Sequence, residues 1–426
     1  MSAAQLQELF RRNRRSGVGG IYSVCSAHPL VIDAALELAR DRGQLALIEA
    51  TCNQVNQFGG YTGMQPAEFS ARVRASARRC GLPLDRVILG GDHLGPQPWR
   101  KEPAASAMAK ALVLVDAFVR TGYAKIHLDC SMRCADDPEV LSEAVIAERA
   151  ARMAEVAEAT ARETGATPLY VIGTEVPPPG GMGSGHAIVP TDADAVAKTY
   201  ETHRQAFAAR GLDAAFARIA AIVVQPGLDF GNEEVVHFAP VVATRLSSSL
   251  RRLDHLIYEA HSTDYQLPAA YEALVRAHFA ILKVGPAATF ALREALYALE
   301  AIEAELIPAS GRSGVRAALE AAMLERPADW ASHYPGSPER QAYLRHFSYS
   351  DRLRYYWPAP AVEAAVKRLR ANLERVGIPL PLISQHLRQL HDPVAGGEVA
   401  ATVDELAKAL VKLALAPYAD ATASTE

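Results

Sequence analysis

Short apolar runs alternate with helix-length amphipathic stretches through roughly the first three-quarters of the chain. Eight runs stand out, at 20–25, 45–50, 87–92, 125–129, 169–175, 221–225, 256–261 and 280–284. Each is nearly continuous in apolar residues, as a strand buried on both faces requires. Between them lie segments rich in Ala, Leu, Glu and Arg, at 29–40, 67–80, 103–121, 138–164, 192–210, 233–248, 268–278 and 287–303. These residue types favour helix. Strict alternation predicts parallel strands with crossover helices, and eight repeats predict a closed (β/α)8 barrel of the α/β class. A count alone leaves a doubly wound sheet as the alternative.

The rhythm changes after residue 304, where a Trp/Tyr/Pro-rich segment at 346–358 is followed by helical stretches at 360–376 and 403–415. The predicted organisation is a barrel over 1–303 and a C-terminal helical extension over 304–426 packed on it. The ends, 1–4 and 418–426, read as frayed.

In such a barrel the strand ends and the loops after them converge on one rim. The residues found there are Ser26 and His28, then Glu49, Asn53 and Gln54, then Asp92 and His93. Asp129, Glu175 and Gln225 follow, and the last two strands contribute Glu259, His261, Asp264 and Lys283. Packing alone does not need acids, imidazoles and amides on nearly every strand end. Asp92-His93 suggests a base beside a metal ligand, with Glu175 and His261 as further ligands; imidazole with carboxylate suits Zn²⁺, Mn²⁺ or a similar ion. Gln225 is a weak carbonyl ligand or a substrate contact. Lys283 suits a structural or substrate-binding role better than a Schiff base. His127 lies between Ile126 and Leu128 and reads as a satisfied core or helix-facing histidine. Two glycine-rich loops, 59–63 and 180–185, are weak anion-loop or lid signals and lack the GxxxxGK[ST] or GxGxxG form. That lack argues against a kinase.

With 426 residues, half of them hydrophobic, the chain has material for a large core. Its formal charge of −4 points to neither nucleic acid nor an acidic membrane. No apolar stretch reaches the roughly 20 residues of a membrane span, and five cysteines without zinc-finger spacing fit a reducing compartment. The expectation is a cytoplasmic protein with reduced thiols, free to form a homo-oligomer.

Several long stretches resemble one family. They are 23–29 (SVCSAHP), 53–63 (NQVNQFGGYTG), 90–96 (GGDHLGP), 172–177 (IGTEVP), 258–266 (YEAHSTDYQ), 282–286 (LKVGP) and 354–358 (RYYWP). They are similar to the family named after the non-catalytic subunit of class II D-tagatose-1,6-bisphosphate aldolase, and the likeness covers nearly the whole chain. The resemblance implies a barrel related to class II aldolases. It also implies one of two functions: support of a separate class II aldolase chain, or metal-dependent 4-epimerisation of D-tagatose 6-phosphate and D-fructose 6-phosphate or the free sugars. Asp92-His93 resembles the aldolase pair of an aspartate beside a metal-binding histidine. Those aldolases carry further histidines on the sixth and seventh strands, where this chain has Gln225 and a slightly displaced His261; the departure speaks against ordinary aldolase activity.

The roles expected on this basis place Asp92 as the main acid/base, with Asp129 or Glu175 serving the opposite face. A divalent ion (Zn, Mn, Ni or Co) falls to His93 and His261, helped by Glu175 or Gln225. Ser26, Asn53, Gln54, Glu259, Asp264 and Lys283 are expected around the sugar or its phosphate. Ser350 and Arg354 are expected to anchor the tail rather than reach the rim.

Overall fold

The computed structural model describes residues 2–173, 188–253 and 255–423. Glu175 and the glycine-rich loop 180–185 lie outside the described residues. The eight barrel strands are β1 (Ile21–Val24), β2 (Ala46–Thr51), β3 (Val87–Leu94), β4 (Lys125–Leu128), β5 (Leu169–Ile172), β6 (Ile219–Val224), β7 (Ile257–Ala260) and β8 (Phe279–Val284). They form one closed sheet, each strand parallel to its neighbours and β8 pairing with β1. The (β/α)8 reading therefore holds, and the doubly wound alternative does not.

Inside the barrel the strands do alternate. On β4, Lys125 and His127 point to the axis while Ile126 and Leu128 join the outer core packed by helices. The lower interior is apolar and includes Leu47, Ile88, Leu169, Val171 and Ile281. Leu6 and Phe10 of the N-terminal helix Ser2–Ser16 pack against this layer and plug the bottom. Residues 2–4 are thus helical, not frayed.

The helix expected at 233–248 is mostly absent. An antiparallel pair, Asp229–Phe230 with Val235–Val236, occupies its first part, and only Thr244–Ser249 is α-helical. The reason is local: a Gly231-Asn232 turn between β-formers favours a hairpin, and Pro240 cannot continue a helix.

The tail is helical and lies on the barrel. Helix Pro286–Leu306 runs through the expected boundary at 303/304. The last helix, Val403–Thr422, packs along Pro29–Asp41 and Pro286–Leu306, where Lys408 and Lys412 both pair with Glu37 at 2.5 and 3.0 Å. Residues 418–422 were expected to fray, yet Tyr418 is 1% exposed and its hydroxyl donates to the Thr263 carbonyl at 2.8 Å. Burying an aromatic ring against Tyr22 and Tyr271 outweighs the fraying tendency of a chain end. Among the described residues no helix is long and apolar enough to cross a membrane.

Candidate active site

A polar layer of two lysines and two glutamates sits above the apolar floor. Lys125 Nζ lies 2.7 Å from Glu49 Oε1 and 2.7 Å from Glu259 Oε2. These are ion pairs whose angles fall outside hydrogen-bond geometry. Lys283 Nζ contacts Glu49 Oε2, lies 3.8 Å from Glu259 Oε1, and reaches up to Asp92 Oδ1 at 2.8 Å. All four side chains are buried. Gly90, paired with Glu49 across the sheet, makes room for them: a Cβ there would stand 2.4 Å from Glu49 Oε1. Burial pulls the Lys283 pKa down, but Asp92 and the other nearby acids outweigh it and hold the ammonium well above the usual lysine range. A permanently charged amine is a poor Schiff-base nucleophile.

One step nearer the rim, Asp92, His93, His127 and His261 place one ligand-type atom each within 4.8 Å of the others. Successive strand residues normally point to opposite faces. Asp92 and His93 both face this cluster because the β3–β4 register slips between Gly91 and Leu94 and His93 takes φ 48°. A left-handed non-glycine residue carries about 1–2 kcal/mol of strain, tolerated where surrounding contacts over-determine it.

Each imidazole is held by one nitrogen. His93 Nδ1 lies 2.7 Å from Asp129 Oδ2, His127 Nε2 lies 3.1 Å from the Gly173 carbonyl, and His261 Nε2 lies 2.8 Å from Glu259 Oε1. The ring edges that remain face one another, with centroids 4.9 Å apart for His93–His261 and His93–His127 and 5.7 Å for His127–His261. His127 Nδ1 has only long contacts, both 3.3 Å, from the His93 amide and to Asp92 Oδ1. Carboxylates or carbonyls behind histidines, with free nitrogens in front, are how proteins orient imidazoles for a metal. The donor set therefore fits a divalent ion.

Charges in the cluster are strongly perturbed. Burial works against ionisation of Asp92, but His93 and Lys283 outweigh it and hold the carboxyl well below the usual range. Burial likewise opposes charge on His93, yet Asp92 and Asp129 raise its pKa to about 9. Burial dominates at His261 and lowers it to about 4, despite Glu259.

Of the residues expected at the site, Asp92, His93 and His261 meet in this cluster, and Lys283 and Glu259 lie directly beneath it. His127, read from sequence as a core histidine, is the fourth member. Its signal was the i, i+2, i+4 spacing of Lys125, His127 and Asp129, all of one parity on β4. Gln225 stands apart from the cluster, its Oε1 accepting from the Gly227 and Leu228 amides of its own loop at 2.8 and 3.0 Å. Asp129 stands behind His93, its other oxygen accepting from the Ser131 hydroxyl at 2.7 Å, so both of its oxygens are engaged. Asp264 caps helix Pro286–Leu306, accepting from the Gly285 and Ala287 amides at 3.1 and 2.8 Å. Asn53 is exposed and lines no part of the cavity described next.

A cavity of about 710 Å³ opens beside the cluster, between the rim and the tail. Cys25, Ser26 and Gln54 line it on the barrel side, and Arg354, Trp357 and Lys367 on the tail side. Cys25 Sγ, 3.8 Å from Asp92 Oδ2, separates the cavity from the cluster. Gln54 props the wall, donating to the Cys25 carbonyl at 3.2 Å. Ser350 anchors the tail as expected, bonded to Ser348 and Asn232, whereas Arg354 both anchors it and lines the cavity.

The chain is similar to a protein from Sinorhizobium meliloti whose crystal structure is named a probable tagatose 6 phosphate kinase. The two are 49% identical with a TM-score of 0.88, over 94% of this chain and 100% of that one. A fructose-bisphosphate aldolase from Campylobacter jejuni aligns at 15% identity and a TM-score of 0.45, over 89% of this chain and 95% of that one. The family described as D-tagatose-1,6-bisphosphate aldolase subunit GatZ/KbaZ-like matches residues 6–423, nearly the whole length, and the chain belongs to that family.

Proposed function

We propose that the chain is a metal-dependent C4 epimerase acting on a ketohexose or ketohexose 6-phosphate, interconverting the D-tagatose and D-fructose configurations. The observation that carries this reading is the set of three imidazoles, each anchored from behind and converging beside an ionised aspartate. His93 and His261 would hold the ion, with His127 or Asp92 completing the set. When bound, a divalent ion supplies Lewis-acid stabilisation of negative charge developing on the ketose oxygens.

The C4 hydrogen of a 2-ketohexose is β to the carbonyl, so enolisation cannot invert that carbon. Breaking and remaking C3–C4 can. In this scheme Asp92 accepts the proton of the C4 hydroxyl as C3–C4 breaks, and the bonding electrons move onto the three-carbon ketone fragment as an enediolate. The released aldehyde turns its other face, C3 attacks it, and Asp92 returns the proton to the new alkoxide. No atom is gained or lost. Lys283 beside Asp92 keeps the carboxylate ionised and favours the proton's return. Asp129 and Glu259 hold the imidazoles in place, and the roofed cavity retains the aldehyde.

The test is incubation of the purified chain with D-fructose 6-phosphate and with D-fructose, with EDTA or with added Mn²⁺ or Zn²⁺, read by NMR. Metal-dependent formation of the tagatose epimer is expected, slowed by about 10²–10⁴ in Asp92→Asn.

A second reading, a companion that stabilises a class II aldolase chain, is favoured by the family's description as an aldolase subunit. No conversion with any metal, together with stabilisation of an added class II aldolase, would decide for it.

A further inference from the structure

The cavity between rim and tail carries more cationic side chains than its own acids neutralise. Arg72 comes from helix Pro66–Cys80 of the barrel, Arg354 from the tail's aromatic segment, and Lys367 and Arg370 from tail helix Pro360–Val376. Three acids share the lining. Asp33 is taken by Arg79 at 2.8 Å, and Asp404 by Arg370 at 2.6 Å. Among the described residues, Glu363 is then the one lining acid whose carboxylate has no partner, and Arg72 and Lys367 have none either. Arg354 is half-buried. Its guanidinium is clamped by the Ser350 and Asp351 carbonyls and the Tyr355 hydroxyl, which engage three of its five N–H donors. A cation held rigid with donors to spare is preorganised for an oxyanion.

His28 adds a neutral donor. Its Nδ1 accepts from the Leu30 amide at 3.3 Å, so the ring proton sits on Nε2. Burial, then Arg370 and Arg72, push its pKa down to about 3, which keeps the ring neutral.

We propose that this seam is an anion subsite for a phosphoryl group, with Arg354 within it and Arg72 and Lys367 at its solvent edge. The barrel alone does not form it, because the tail supplies two of the three cations. Cys25, at the cavity's inner wall and 3.8 Å from Asp92, sets the relation to the reacting cluster. Resting on the epimerase reading, the phosphoryl group is the 6-phosphate of a ketohexose whose C3–C4 bond lies toward Asp92. Free inorganic phosphate has the same chemistry and is the other source.

The test is calorimetric titration of the intact chain with D-fructose 6-phosphate, D-fructose and inorganic phosphate, at low and at physiological salt. D-Fructose 6-phosphate should bind at least about ten-fold tighter than D-fructose, a factor worth about 1.4 kcal/mol, with the gap narrowing as salt screens the edge cations. The surface double variant Arg72→Gln/Lys367→Gln should lose most of that gap and leave D-fructose binding unchanged. Arg354→Gln should lose more, and the double variant keeps the test open if Arg354→Gln does not fold. Inorganic phosphate that binds as tightly as the sugar phosphate, and weakens in the same variants, supports the subsite and assigns it to the free anion. Equal affinity for D-fructose 6-phosphate and D-fructose, or affinities untouched by the double variant, overturns the proposal. Turnover is read separately. Tight sugar-phosphate binding without epimer formation would keep the subsite and remove the epimerase reading, and turnover without phosphate preference would do the reverse.

Discussion

Two polar layers lie one above the other inside the barrel, built from similar residues and paired differently. In the lower one, Lys125 and Lys283 meet Glu49 and Glu259, and every charge has an opposite charge in contact. In the upper one, three histidines and Asp92 are braced from behind and leave ring nitrogens turned toward each other. Buried charges are costly unless paired, so the lower layer reads as a closed electrostatic platform. Incomplete pairing nearer the rim is what a ligand would complete. Lys283 joins the two, and together with His93 it holds Asp92 ionised. The comparison teaches that burial and polarity do not mark a site by themselves; unspent donor and acceptor capacity does.

The comparison can be broken at its lower layer first. Lys125→Met leaves Glu49 and Glu259 with Lys283 as their one shared cation in place of two and should cost about 3–5 kcal/mol in urea unfolding. An unchanged unfolding midpoint would mean that the platform is not what holds the barrel's interior together. In the upper layer the expected loss is of ligand affinity. Asp129→Asn removes the carboxylate behind His93 and should weaken Zn²⁺ or Mn²⁺ binding about 10–100-fold in a chelator-competition titration, with little change in unfolding. Equal metal affinity in wild type and variant would show that His93 is not a ligand.

A rim acid outside both layers is structural and changes only the pH dependence of stability. Burial raises Asp264 to about 6 from an ordinary 3.8. The folded state therefore holds this proton longer than the unfolded state, and its contribution makes stability fall as pH climbs between those two values. Asp264→Asn keeps an oxygen for the helix cap and removes the titration. Its unfolding free energy should be free of that decline, which amounts to about 3 kcal/mol in wild type. Parallel pH profiles would show that the carboxyl titrates as in the unfolded chain.

Most of the architecture was legible from the pattern of residues. Eight apolar runs separated by helix formers leave few alternatives to a closed parallel barrel, and strand ends rich in His, Asp and Glu pointed to one rim. The hairpin at 229–236 was legible too, in Gly231-Asn232 and Val235-Val236, but the helix-forming residues around it masked the turn. His127 is buried with partners at both ring nitrogens, as a core histidine is, but it faces the barrel axis and not the helices, because on a strand Ile126 and Leu128 occupy the opposite face.

What the sequence determined by itself is therefore the repeat, the class of fold, the family likeness and the chemical character of the rim. What only the tertiary structure decided is which of those polar residues share a space. Gln225, Asp129 and Asp264 sit at strand ends like Asp92, yet their oxygens are spent on a loop, an imidazole and a helix terminus. Arg72 and Lys367 are nearly 300 residues apart and meet at one cavity only because the tail folds back over the barrel mouth. Residue type sets what a side chain can donate or accept, but whether that capacity is already used depends on partners distant in sequence, and only the folded chain brings them together.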